Sequence, residues 1–297
     1  MGTSYDARGG AGSLAGRVCV VTGATRGIGR AAARALAARG ATLVLLARDA
    51  ARAGVVAAEL RDLGSGAVHV VPIDLASLAS VRAAAAEVTG RHAALHLLLH
   101  DAGVNLARRT VTTDGIEATL AVNHLAPFLL TQLLLPALRR GAAPGRSARV
   151  VTVTSMFERF GRLRLDPRPA RPYIGVLAYT ASKLANVLFT RELARRLAGS
   201  GVTATCADPG LAATELMRDR WWYRAPLLRA LWRRLLLAPE RAADALVHAA
   251  TSRALEGVTG ECIDRRGRVV RTSGRSRDAE LARRLWVWSE ALSADTA

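Results

Sequence analysis

At 297 residues, 51% of them hydrophobic, the chain can build one or two domains around a large core. Its formal net charge of +18 invites a nucleic-acid partner, but the arginines are scattered and no DNA- or RNA-binding signature appears, so no nucleic acid is expected. Cys19, Cys206 and Cys262 lie in apolar, strand-like contexts, and neither they nor the six histidines show metal-ligand spacing, which excludes a zinc site and points to a reduced, cytoplasmic setting.

The opening is polar and Gly-rich to about Ser13, which reads as a tail over residues 1–14 and as neither signal peptide nor anchor. No uninterrupted apolar run reaches the length a bilayer crossing needs. From Arg17 onward, short aliphatic runs alternate with Ala/Leu/Arg stretches of helical period. The runs at 18–21, 42–46, 68–73, 95–99, 149–154 and 202–206 read as strands, and the stretches near 28–39, 50–63, 77–89, 113–138 and 175–198 as helices. Unbroken aliphatic strands separated by helices predict an α/β fold, a doubly wound parallel sheet with helices on both faces, as a single domain over 15–297. Ligands of such sheets bind beyond the carboxyl ends of the strands.

The first strand runs into Thr22-Gly23-Ala24-Thr25-Arg26-Gly27-Ile28-Gly29 and an Ala-rich helix. Glycines there let backbone approach a pyrophosphate, and the helix start offers N–H groups and positive potential, so a Rossmann-type dinucleotide site is expected. Where NAD enzymes place a ribose-binding acid, the second strand ends in Ala47 and Arg48. Arg26 and Arg48 near the adenosine 2′ position favour a phosphate there, hence NADP(H). The alternatives are Asp49 as the ribose acid, or Asp49 as a helix N-cap with Arg48 simply solvated. Asp74-Leu75 closes the third strand, where an acid also suits a helix cap.

Of the 42 Lys and Arg residues only Lys183 is lysine, in Tyr179-Thr180-Ala181-Ser182-Lys183. The spacing of about one helical turn puts Tyr179 and Lys183 on one face. A compact ammonium kept in a chain that otherwise uses guanidinium marks a task the planar fork does poorly. Together with the glycine turn, Asn123, Ser155 at the end of the fifth strand, and Asp208-Pro209-Gly210 after the sixth, this pattern resembles the short-chain dehydrogenase/reductase family from about Gly16 to Ser289. The runs Thr113-Asp-Gly-Ile-Glu, Val122-Asn-His-Leu and Ser182-Lys-Leu-Ala-Asn-Val-Leu-Phe-Thr-Arg-Glu-Leu look like its retinol-dehydrogenase-like branch.

The resemblance implies Asn123, Ser155, Tyr179 and Lys183 as catalytic residues. It implies cofactor contacts from Gly23, Thr25, Arg26, Gly27, Ile28, Gly29, Arg48, Asp74, Leu75, Asp101, Ala102, Gly103, Tyr179, Lys183, Pro209, Gly210 and Thr214. Asp74 would bind the adenine edge, Asn123 a water linking Lys183 to solvent, and Thr214 the carboxamide or the phosphates. His100-Asp101-Ala102-Gly103 stands where the family shows Asn-Asn-Ala-Gly, and an ionised Asp101 could only accept hydrogen bonds. Either it is protonated or a nearby donor is rearranged.

The chemistry asks for these residue types. Hydride delivery to a carbonyl leaves an alkoxide that needs a proton donor in reach. A free phenol has a pKa of ~10, and Lys183 is expected to lower that of Tyr179 by about three units, roughly 4 kcal/mol. The Ser155 hydroxyl would polarise the carbonyl, with Thr154 as the rival ligand.

The segment 221–237 carries Trp221, Trp222, Tyr223 and Trp232 among leucines and arginines. By the resemblance it lies in a substrate lid at about 211–240, suited to a bulky apolar alcohol, aldehyde or ketone as the small-molecule, lipophilic substrate. Alternatives are a peripheral membrane contact, a covering helix, or a homo-oligomer contact. The loop 157–172 holds Arg159, Arg162, Arg164, Arg168 and Arg171, either a positive pocket rim or a solvated loop. The expected function is an NADP(H)-dependent oxidoreductase. A ketoreductase or tailoring enzyme of secondary metabolism, a non-catalytic nucleotide-binding module and a membrane-surface binding protein are the alternatives.

Overall fold

The computed structural model describes residues 13–165, 172–211 and 236–294. Its strands are β1 (Val18–Thr22), β2 (Thr42–Ala47), β3 (Ala67–Pro72), β4 (Leu97–His100), β5 (Ala148–Val153), β6 (Val202–Asp208), β7 (Cys262–Asp264) and β8 (Val269–Val270). They form one sheet in the order β3-β2-β1-β4-β5-β6-β7-β8, parallel throughout except for the terminal pair β7–β8. The order reverses direction between β1 and β4, which opens a crevice at their carboxyl ends.

Seven helices flank the sheet among the described residues: α1 (Gly27–Ala37), α2 (Ala50–Asp62), α3 (Leu78–Arg91), α4 (Ala118–Gly141), α5 (Gly175–Arg196), α6 (Pro239–Thr251) and α7 (Ala279–Ser293). Period-2 alternation divides the strand side chains between two cores. Val21, Leu45, Leu99 and Val151 pack with α1, α2 and α6; Val20, Val44, Leu98 and Val150 pack with α3, α4, α5 and Trp286 of α7. Because both faces are covered, the strands need no polar side, as their unbroken aliphatic runs predicted.

The fold adds β7, β8, α6 and α7 to the elements read from the sequence, and it differs from that reading at the start of α4. The helix expected from 113 begins at Ala118, because Asp114-Gly115 makes a turn in which Gly115 takes φ +77. The Asp114 carboxylate accepts from Leu78 N at the start of α3 (3.0 Å), and Glu117 accepts from Thr119 N (2.8 Å) and Leu120 N (2.9 Å) to start α4. On average over its length α4 is long and apolar enough to cross a bilayer, although no uninterrupted apolar run within it reaches that length. Its apolar window is 72% buried inside the fold, the property of a core helix.

Trp286 is core too. Its ring meets Phe128 of α4 edge-on at 4.9 Å and stacks on Phe189 of α5 at 6.1 Å, while Nε1 donates to Glu290. Trp288 packs on the side of the Leu184–Leu188 cluster. Trp221, Trp222 and Trp232 lie outside the described residues.

Candidate active site

The turn between β1 and α1 is shaped by close approach. A side chain at Gly29 would put its Cβ 2.4 Å from the carbonyl oxygen of Gly23, and one at Gly23 would meet Ala102 N at 2.7 Å. Gly23 (φ +77) and Gly27 (φ +50) also take left-handed backbone that favours glycine. Thr25, Arg26 and Gly27 form the partly to fully exposed crest of the turn, and Ile28 faces the core. The N-cap residue of the helix supplies no side-chain cap and its first turn holds no acid of its own; the acid that reaches its amides comes from the end of β4.

Arg48 is exposed directly after β2, and β2 lies beside β1 with Leu46 opposite Thr22. Asp49 accepts from Arg52 N at 2.9 Å and is the N-cap of α2, which settles one of the two readings of that residue. Asp74 does not cap α3; Ser77 does. Instead Asp74 accepts from Ala76 N at 3.0 Å and is held by its own N–H to the Ser80 hydroxyl at 2.8 Å, with Leu75 packed on the core.

At the end of β4, the Asp101 carboxylate sits inside the glycine turn and accepts from the Gly29 amide. Burial pushes its pKa up to about 7, opposed by the nearby Lys183 ammonium and that amide. The backbone of the turn thus supplies a donor for this acid. Ala102 N donates to the Thr22 hydroxyl at 3.3 Å, and a Cβ on Gly103 would lie 3.2 Å from Asn123 Oδ1 and 3.9 Å from Lys183 Nζ.

Asn123 occupies a π-helical turn, Ala121–Leu125, closed by the Ala126 amide onto the Ala121 carbonyl. The cause is legible: Pro127, four residues on, has no N–H to complete an α-helical bond to the Asn123 carbonyl. The Asn123 side chain clamps protein, accepting from Val104 N (2.7 Å) and donating to Val104 O and to the Ser182 hydroxyl (both 2.9 Å). Its amide is held by these groups.

Thr154 and Ser155 are told apart by their partners. The Thr154 hydroxyl donates to the Lys183 carbonyl at 3.1 Å, whereas Ser155 hydrogen-bonds the Tyr179 side chain. Lys183 Nζ donates to the Val153 carbonyl at 3.0 Å and stands 5.6 Å from the Tyr179 ring centroid. The expected acidification of the phenol is not what the protein produces alone. Desolvation, together with the Asp208 and Asp101 carboxylates, pushes Tyr179 up to about 12, with only the Ser155 bond opposing. Lys183 is itself lowered to about 8 by burial, against the pull of Asp101 and Asp208.

Asp208 is the residue that sequence reasoning passed over. It ends β6, accepts from Gly210 N at 2.9 Å, and its charge is felt by both Tyr179 and Lys183. Its signal was position alone, an acid closing a central strand just before a Pro-Gly turn. Pro209 is buried and Gly210 takes φ +72. Thr214, Arg168, Arg171 and nearly all of 221–237 lie outside the described residues; at the edge of that segment Leu237 N donates to Leu211 O at 2.8 Å.

The short chain dehydrogenase family matches residues 17–222. Mouse polyprenol dehydrogenase is 45% identical over 275 residues, covering 91% of this chain and 82% of its own length. Human retinol dehydrogenase 12 is 40% identical over 280 residues, covering 92% and 85%. Among solved structures, an uncharacterized protein from Mycobacterium paratuberculosis superposes with a TM-score of 0.78 at 34% identity over 98% of each chain. Pseudomonas aeruginosa RhlG in its NADP active-site complex gives 0.70 at 28% identity, over 89% of this chain and 98% of that one. The chain belongs to the short-chain dehydrogenases, oxidoreductases of CH–OH groups, and is similar within them to the retinol dehydrogenases.

Proposed function

We propose that the protein is an NADP(H)-dependent oxidoreductase that interconverts a lipophilic alcohol and its aldehyde or ketone, with Tyr179 as the general acid/base. The observation that carries this reading is the meeting of Ser155, Tyr179 and Lys183 beyond the carboxyl ends of β5 and β6, next to the glycine turn. The residues present fit a dinucleotide: a glycine turn opening a helix, from which Cβ atoms are excluded, and Arg26 and Arg48 for a 2′-phosphate. The names of polyprenol and retinol dehydrogenase support a lipophilic substrate class, and the RhlG complex supports NADP.

When bound, the reduced nicotinamide supplies the hydride. Ser155 then holds the substrate oxygen through its hydroxyl, and the Tyr179 phenol gives that oxygen its proton. Lys183, anchored to the Val153 carbonyl, sets the charge beside the phenol. Asn123 fixes the Val104 backbone and, through Ser182, the helix that carries Tyr179. Reduction needs the phenol and oxidation the phenolate. With burial pushing Tyr179 up to about 12, alcohol oxidation is expected to climb across pH 7–10 while carbonyl reduction stays level.

The test is NADPH consumption with a panel of medium-chain aldehydes, ketones and retinoids. Turnover is expected in the wild type, and Tyr179→Phe should lower kcat/KM by about 10²–10⁴-fold. Full turnover by that variant would remove Tyr179 from the chemistry. The Trp/Arg segment 221–237 supports peripheral contact with a membrane surface facing the cytoplasm, where such substrates partition. Vesicle flotation that persists after Trp221, Trp222 and Trp232 are changed to Ala would reject that part of the reading.

A further inference from the structure

Beyond the carboxyl ends of β5, β6 and β7 lies a cavity of about 430 Å³ that the catalytic groups do not fill. Ser155 and Asp208 form part of its wall, so it shares residues with the reacting cluster. Across from them stands the β7–β8 hairpin, and Met156 and Val270 add apolar surface.

Its charge is the informative property. Five of its fifteen lining residues are arginine, against 41 of 297 in the whole chain, so the chain's general arginine bias does not account for it. The acids on the wall do not balance them. The Glu158 carboxylate is buried and taken by the Ser273 amide (2.8 Å) and hydroxyl (2.6 Å). Asp264 pairs with Arg268 at 2.8 Å, the Asp208 carboxylate accepts from the Gly210 amide, and three acids against five arginines leave the wall positive. Arg159 is pinned over the cavity by its Nη2, which donates to the Arg271 carbonyl at 2.6 Å, and it is close enough to act on Asp208. Among the described residues the Arg266 and Arg271 guanidinium groups form no ion pair. The five arginines are all exposed, and a positive rim beside a hydride acceptor site suits an anion carried on the substrate.

We infer that this cavity binds an anionic group, phosphate or carboxylate, borne by the substrate a few bonds from its reacting carbon, so that the natural substrate is an amphiphile and not a neutral lipid. This rests on the oxidoreductase reading and narrows its substrate class. The guanidinium planes of Arg159, Arg266 and Arg271 supply forked donors of the kind that recognise such anions. Ser155, on the shared wall, keeps the carbonyl within reach of Tyr179.

The experiment uses three probes with one carbonyl position: 4-oxododecanoate, its methyl ester, and 4-oxododecyl phosphate. Each is titrated calorimetrically into the NADP⁺-loaded full chain and also followed by NADPH oxidation. The expected result is at least tenfold tighter binding of one or both anions than of the ester, and the larger ratio names the group. That ratio should fall to about twofold or less in Arg266→Gln/Arg271→Gln, yet persist in Arg139→Gln/Arg284→Gln, which removes equal charge elsewhere on the surface. A ratio near one in the wild type overturns the inference, as does an equal loss in both double variants. Turnover of ester and anions alike without preference rejects the anion site and leaves the oxidoreductase reading standing. Preferential anion binding with no turnover of any probe supports the site and rejects that reading.

Discussion

The carboxyl edge of the sheet is built in two ways. Over β1 and β4 the surface is backbone: Gly23 and Gly29 leave no room for a methyl group, and the one charged intruder, Asp101, is held by the Gly29 amide. Over β5, β6 and β7 it is side chain: a serine, a phenol, a carboxylate and a rim of guanidinium groups. The first region recognises by shape and the second by charge. Changes in the first should therefore act all at once, and changes in the second by degrees.

The largest effect expected is at Gly29→Ala. Its methyl would fall 2.4 Å from both the Gly23 carbonyl oxygen and Asp101 Oδ2, so the turn must shift. Overpacking of this kind costs about 1–3 kcal/mol, and calorimetry should show dinucleotide binding lost while the protein still melts cooperatively. Unchanged NADPH affinity would mean that shape does not rule this half of the edge.

Next comes Asp101→Asn, which asks whether charge matters there at all. The folded carboxyl is raised to about 7 from an ordinary value of 3.8, so the folded state holds a proton that the unfolded state releases. Stability should accordingly fall as pH rises from about 4 to about 7, and the variant should escape that fall. With each pKa unit worth ~1.4 kcal/mol, its advantage above pH 7 is on the order of 4 kcal/mol. Lys183 works in the opposite sense at higher pH: its folded value of about 8 lies below 10.5, so stability recovers between those values. Denaturant midpoints of both proteins from pH 4 to 10 measure the two slopes, and parallel curves would refute the assignment to Asp101.

The smallest change is expected at Arg48→Ala. An exposed charge-assisted contact to a 2′-phosphate is worth about 1.5 kcal/mol, so the NADPH-to-NADH preference in Kd should drop about tenfold. A preference that stays put would leave Arg26 as the residue reading the phosphate.

The architecture was legible because the strands, buried on both faces, consist of aliphatic residues with little else in them, and β1, β2, β3, β5 and β6 lie where those runs lie. The short β7 and β8, of three and two residues, are below the length at which any period registers. Asp114-Gly115 carried a turn signal that the helical period of the following residues obscured. Within the site, Tyr179, Lys183 and the glycine turn were readable from spacing, because one element carries each of them. The Thr154/Ser155 choice was not, since it depends on which hydroxyl meets α5 across the fold. Nor was the protonation of Tyr179: desolvation belongs to the packed molecule, and Asp208 and Asp101 reach it from two other strands.

Helix α7 ties the two halves of the reacting cluster together. Trp286 sits against Phe128 and Phe189, and Ser289 meets His124, the neighbour of Asn123, at 2.9 Å. The helices bearing Asn123 and Tyr179 are thus locked together by a third that carries neither residue, so a change in the α7 face that loosens this seam reaches both reactive groups at once.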